Sequence, residues 1–358
     1  MGIKKTLWGV TEGQKVYLYT IKNGGVSVTL SNYGALIQSL SLKDKNNCLR
    51  DVVLGFDTLD EYIIDECYMG VVPAIYANRI SNGSFKLNGK MVYLDCDDGS
   101  NALHAGKIGK KVWKTRIVEK ENLVMVVFSI CIDSNFHGFP KGLLIEVIYS
   151  LDDSGIFNII YEAVTKKDTI INLTNHTYFN LGEEDILSHK LTLNSNSILI
   201  TDINNLPTGD FRLVRGTPFD FRNAKVIGED INSNDYQIKS GAGYDINYIV
   251  NKNSSSKVSI CHPITGINLF VDKIANLQSD ETGISLEVLG SQPGVQLYSS
   301  NYLKNKKGKY GCYHGRYKGV CLETQHYPDS PNYPNFPSSI LKKGDMYQHI
   351  ASYRFSIN

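Results

Sequence analysis

The feature that most constrains this chain is a series of short β-rich runs with apolar residues at alternate positions, broken by Asn, Gly and Asp turns. A period of two is the mark of strands with one face turned to a core. The runs at 16–21, 26–31 and 36–42 open the series, with Asn23-Gly24 as the turn between the first two. Residues 58–64 read as a short helical turn, and long amphipathic helices are missing, which excludes folds built from βαβ units. Runs at 123–132, 143–151 and 155–163 follow, the last two joined by the turn sequence Asp152-Asp153-Ser154-Gly155. Those at 284–289, 295–298, 319–324 and 350–355 complete an all-β chain. With 358 residues and no Pro-, Gly- or Ser-rich linker, the expectation is one large all-β domain spanning 1–358.

Charge narrows the possible partners. The formal net charge of +1, without runs of like charge, supplies no field for nucleic acid or anionic membranes and directs attention to a small neutral ligand. The seven cysteines are odd in number, scattered and never spaced as CxxC, as expected of free thiols in a reducing compartment. No apolar run is long enough to span a membrane, and the opening MGIKKTLWGV lacks the apolar core of a signal peptide, so a cytoplasmic protein is expected. Met1, Gly2 and Thr6 fit the short N-myristoylation pattern, although three matched positions arise often by chance. Sequons at Asn82, Asn172, Asn175 and Asn253 carry little weight in a cytoplasmic protein.

Several stretches place reactive side chains together. Read as a strand, TNHTYFNL at 174–181 and its two preceding residues would turn Asn172, Thr174, His176, Tyr178 and Asn180 to one face. Ile171, Leu173, Phe179 and Leu181 would anchor the other. Such a strand either lines a polar groove or is an ordinary solvated face. In GVCLETQHYPD, Val320 and Leu322 face one way and Cys321, Glu323 and Gln325 the other. Glu323 is therefore either a salt-bridged carboxylate at a strand end or a general base in a partly desolvated groove. Arg79 in YANRISNG, His104 in NALHAG, Asp245 in GYDINY and Gln296 in QPGVQLY each have a structural reading as good as a functional one when taken singly.

Taken in order, these motifs resemble the aldose 1-epimerases, also called galactose mutarotases, from about Val26 to Phe355. NYGALIQSLSLKDK and DVVLGFDTLDEY match the family's opening; ANRI, FKLNGK, NALHAG, TNHTYFNL, GYD, QPGVQLYSSNYL and CLETQHYPD follow in the expected order. The resemblance implies a large β-sandwich with an open groove across one sheet. It implies Glu323 as base and His176 as acid, with Asn78, Arg79, His104, Tyr178, Asp245 and Gln296 binding the sugar or orienting the acid. The chemistry would exchange the anomers of a free aldohexose such as galactose or glucose, and calls for no metal, nucleotide or covalent intermediate. An ordinary imidazole pKa of about 6.5 suits a donor near neutral pH.

The match departs in places. Ala74-Ile75 stands where the family usually has Gly-Arg, Ala105 replaces a glycine after His104, Ile246 follows Asp245 where histidine is common, and Pro140-Lys141-Gly142 replaces a tighter turn. Between Gly266 and Ile284 the chain is longer than the resemblance requires, and a surface insertion is expected at about 268–283. Three other readings stay open: a hexose-6-phosphate 1-epimerase, a glycoside hydrolase using Asp245 and Glu323, and a non-catalytic sugar-binding module. Neither the preferred sugar nor monomer against homodimer is legible.

Overall fold

A computed structural model describes residues 2–132, 136–252 and 257–358. Met1 of the myristoylation pattern and the sequon residue Asn253 lie outside the described residues. The ladders are antiparallel and form three principal sheets. An N-terminal sheet of five strands runs in chain order from Gly2–Thr11 to Leu49–Asp51. The alternation read at 26–31 gives the strand Val26–Ser31, and the Asn23-Gly24 turn falls at the end of Gln14–Asn23. The first strand, Gly2–Thr11, was not legible as one, because its apolar residues Leu7 and Val10 are largely exposed. The helical turn is Leu59–Ile63, capped by Thr58, whose side chain and that of Glu61 close a reciprocal capping box.

A ten-stranded sheet forms the scaffold. Its centre runs Leu123–Ile132, Leu143–Asp152, Phe157–Thr165, Met346–Ile357, Ile284–Gly290 and Asn268–Gln278. The expected surface insertion at 268–283 is corrected here. Asn268–Gln278 is an eleven-residue strand paired on both sides, and Val271, Ile274 and Leu277 are buried. Its apolar residues are spaced for burial, and only residues 279–283 form the turn to the next strand.

The third sheet, of six strands, carries the site. Its order is Tyr178–Phe179, Val320–Gln325, Gly294–Tyr298, Asp245–Val250, Ser195–Thr201 and Pro207–Leu213. Leu322, Leu297 and Ile246 stand opposite one another across three strands. They enter the main core with Val28 and Leu30 of the N-terminal sheet and Phe128, Tyr149 and Tyr353 of the scaffold. Because alternate residues face opposite sides, this apolar row turns Glu323, Gln296 and Asp245 away from the core.

Replacing Leu277, fully buried in the scaffold strand, by Ala is expected to lower unfolding free energy by about 2–5 kcal/mol in equilibrium urea denaturation. A change within about 0.5 kcal/mol would be the response of a surface-loop position and would contradict this placement.

Candidate active site

Two polar rows cross the site sheet on either side of the apolar one. Tyr178, Cys321, Tyr298 and Asp245 stand opposite one another in the first; Glu323, Gln296 and Asn247 do so in the second. Strand register alone therefore assembles groups that are about 145 residues apart in sequence. The groove over these rows has a volume of about 200 Å³ and is lined by all eight predicted site residues: Asn78, Arg79, His104, His176, Tyr178, Asp245, Gln296 and Glu323. A larger cavity of about 760 Å³ lies elsewhere, around Arg50, Lys309 and Lys318. Its most buried cation, Lys309, is already paired with Asp51 at 2.6 Å.

The stretch TNHTYFNL differs from the uniform strand expected. Only Tyr178–Phe179 is strand, and Thr174 to Tyr178 are buried without alternation. The polar side chains are spent on backbone instead. Asn172 Nδ2 donates to the Ala77 carbonyl, Asn172 Oδ1 accepts from the His326 N–H, and Asn175 Nδ2 donates to the Gly70 carbonyl. The backbone of His176 is held from both directions, donating to Val71 and accepting from Gly70. This lacing fixes an irregular segment that packing alone would leave loose, and it closes the sequons at Asn172 and Asn175 by burial.

His176 sits at the centre. Its ring stacks on Tyr178 at 4.9 Å, meets His104 edge-on at 5.4 Å, and places Nδ1 3.5 Å from Cys321 Sγ. The Tyr178 hydroxyl donates to the Cys67 carbonyl, which locks the ring beneath the imidazole. His176 Nε2 lies 3.9 Å from Glu323 Oε1, too long for a hydrogen bond, so the two atoms stand side by side. Burial lowers the His176 pKa to about 4, below the ordinary value assumed from sequence. Burial, with the charge of Asp245 a lesser push, holds the Glu323 carboxyl well above the usual carboxylate range.

The remaining polar groups come from two short strands above the sheet. Tyr76–Ile80 pairs with Ala102–Ala105 across a register shift, and Asn78 and His104 both adopt positive φ. The irregularity re-aims these side chains toward the groove. His104 Nδ1 accepts the Asn78 N–H at 3.2 Å, so its proton resides on Nε2, and burial keeps the ring neutral by lowering its pKa. Arg79 pairs with Asp98 through Nε at 2.7 Å, leaving its terminal nitrogens for the groove. Asp245 Oδ1 accepts from Gln296 Nε2 at 2.7 Å; burial raises its pKa against the opposing pull of Arg79.

The sequence departures are accommodated. Ile75 is fully buried and gives its N–H to the Ala105 carbonyl, while Ala105 lies outside the positive-φ region and needs no glycine. Sequence reasoning missed Tyr68, Tyr298 and Tyr302, which line the groove. Tyr298 and Tyr302 both lie within the motif QPGVQLYSSNYL, Tyr298 two residues after Gln296 and so on its face; Tyr68 carried no signal.

Layered antiparallel sheets with a carboxyl and an imidazole side by side in a polar groove define a mutarotase-like β-sandwich. A model of the aldose 1-epimerase family matches residues 17–354. The chain is 34% identical to bovine galactose mutarotase over 345 residues, covering 95% of this chain and 94% of the relative. It is 32% identical to the aldose 1-epimerase of Haemophilus influenzae, covering 99% of each. A crystal structure of galactose 1-epimerase from Lactobacillus acidophilus superposes with a TM-score of 0.85 at 25% identity, covering 100% of this chain and 99% of the other. The chain belongs to the aldose 1-epimerase family.

If burial sets the imidazole charges, NMR will show a neutral His176 ring from neutral pH down to about 5, its pKa being lowered to about 4, and a His104 ring that charges only well below the ordinary imidazole range. A titration midpoint near 6.5 for either ring would contradict the geometry.

Proposed function

We infer that this chain is an aldose 1-epimerase, converting the α and β anomers of a free aldohexose into one another. The observation that carries the reading is the His176 Nε2 to Glu323 Oε1 pair, 3.9 Å apart, side by side in the groove. Anomer exchange acts on two oxygens attached to one carbon, and two proton-transfer groups must reach them together. Glu323 as carboxylate takes the proton from the C1 hydroxyl while His176 gives one to the ring oxygen. The bond between C1 and the ring oxygen breaks and C1 becomes an aldehyde. Rotation about the C1–C2 bond presents the other carbonyl face, and the same groups run the steps backward, restoring the starting protonation. Proton transfer from positioned groups of this kind contributes about 10²- to 10⁴-fold each.

The active pair carries one proton. With two it lacks a base, and with none it lacks an acid. The second proton leaves at the His176 value of about 4, and the last leaves at the raised value of Glu323. Between these two limits the His176 and Glu323 pair shares a single proton, and moving it from carboxyl to imidazole produces the reactive form. This places the acid in a buried pair that titrates as a unit, instead of in an imidazole of ordinary pKa.

His104 Nε2–H, Arg79 and Asn78 provide donors, and Asp245 and Gln296 provide acceptors, for the ring hydroxyls. Arg79 is the one cation among the described groove-lining residues, and its charge is already balanced by Asp98, paired through Nε. That favours a free sugar over a sugar phosphate, which needs further basic groups. Galactose and glucose are the proposed substrates, galactose in keeping with the names of several relatives.

Polarimetry of freshly dissolved α-galactose and α-glucose tests the reading. Wild-type protein is expected to speed decay to the same final rotation, with Glu323→Gln slower by about 10²- to 10⁴-fold. Decay no faster than buffer for both sugars would refute free-hexose epimerisation.

A further inference from the structure

The side of Glu323 away from the groove is as polar as the groove itself. Asn247 stands opposite Gln296, and Gln296 opposite Glu323. Gln325, two residues beyond Glu323 and on the same face, stands opposite Gly294. A Cβ on Gly294 would come within 2.7 Å of Asn247 Oδ1, so the Asn247 carboxamide leans over that glycine, next to Gln325. The Tyr327 ring lies against the same position at 3.0 Å and covers it. Asn247 and Gln325 are 1% and 0% exposed, and neither lines the groove.

None of the four nitrogen and oxygen atoms of these two carboxamides has a hydrogen-bond partner among the described residues. Gln296 Oε1 and Glu323 Oε2 are buried in the same condition. Native structures pair the great majority of such atoms, and a concentration on four neighbouring side chains calls for an explanation. For Asn247 and Gln325 a sugar group cannot serve, because these two side chains do not line the groove, whereas Gln296 and Glu323 do. The set mixes donors and acceptors, which suits a molecule that is both and is small enough to be enclosed. Water is that molecule.

We propose that Asn247 and Gln325 form a sealed hydration site behind Glu323, whose ordered water donates a hydrogen bond to Glu323 Oε2 while the substrate occupies the groove in front. The kinetic consequence rests on the epimerase reading; the site itself does not. Asn247 and Gln325 are then positioning residues acting through the carboxyl. The titratable groups facing Glu323 are His176, Asp245 and Cys321 within the site, and Tyr161 and Tyr353 from the scaffold sheet. Exchanging Asn247 or Gln325 for an apolar residue alters none of these charges, so a shift in titration reports the lost water. A donor to a carboxylate favours its charged form; without it the carboxyl holds its proton more tightly. The alkaline limb of the pH profile then moves up, and the form with the proton on His176 becomes scarcer.

Two readouts test this on the full chain. A wild-type crystal structure of sufficient resolution is expected to show water within hydrogen-bond distance of both Glu323 Oε2 and the Gln325 or Asn247 carboxamide. In Gln325→Met the alkaline limb of kcat/KM is expected to rise by about half a pH unit, with the kcat plateau falling about threefold. Asn247→Ser, which keeps a small polar group and admits water, is expected to hold the limb in place. Carboxamides bonded to each other around a dry site would overturn the proposal, as would an unmoved limb in a folded Gln325→Met. Should that variant fail to fold, the wild-type density decides alone, and it does so whether or not the protein epimerises sugars.

Discussion

Everything in the groove depends on the register between Val320–Gln325 and Gly294–Tyr298. Leu322 facing Leu297 ties both strands to the core, and that pairing forces Glu323 opposite Gln296 and Cys321 opposite Tyr298. A slip of one residue would carry Glu323 into the core and Leu322 into the groove, and the cost of burying a carboxyl among apolar groups forbids it. Positional accuracy at the site is thus inherited from hydrophobic burial on the other face. The second strand pair, Tyr76–Ile80 with Ala102–Ala105, brings its polar groups over this base by departing from regular geometry at Asn78 and His104.

Burial also governs the chemistry. Glu323 and His176 are each pushed toward their neutral forms, which disfavours a fixed ion pair; in the proposed reaction the pair exchanges one proton internally. Tyr178 beneath the imidazole, the lacing of Asn172 and Asn175 to backbone, and the Gln296 bond to Asp245 keep these groups in place. A hydration site behind the carboxyl would complete the picture, with the charged form of Glu323 supported from the rear while its front remains open to the sugar.

Much of this was legible from sequence, for a physical reason. Period-two alternation survives wherever a strand has one apolar face, as at Val26–Ser31 and Leu123–Ile132, whose limits coincide with the runs read. The signal failed where burial is two-sided or absent. Asn268–Gln278 reads as a surplus loop because charged residues interrupt it, and Gly2–Thr11 leaves its apolar side chains exposed. The candidate residues were recoverable because their motifs are local, and all eight reach the groove. Two things were not recoverable: the tyrosine wall contributed by Tyr68, and the depressed titration of His176, which follows from enclosure by segments remote in sequence. TNHTYFNL misled in a third way, since polar residues that bond backbone mimic the alternation of a strand.

The most direct test of the shared proton is the pH dependence of kcat/KM for anomer exchange in the wild-type protein. The account predicts a plateau whose acid limb falls near pH 4, where His176 charges, and whose alkaline limb lies well above the ordinary carboxylate range, where Glu323 gives up the last proton. An acid limb near 6.5, the ordinary imidazole value of about that size, would show a freely titrating histidine and contradict a proton held jointly by the buried pair.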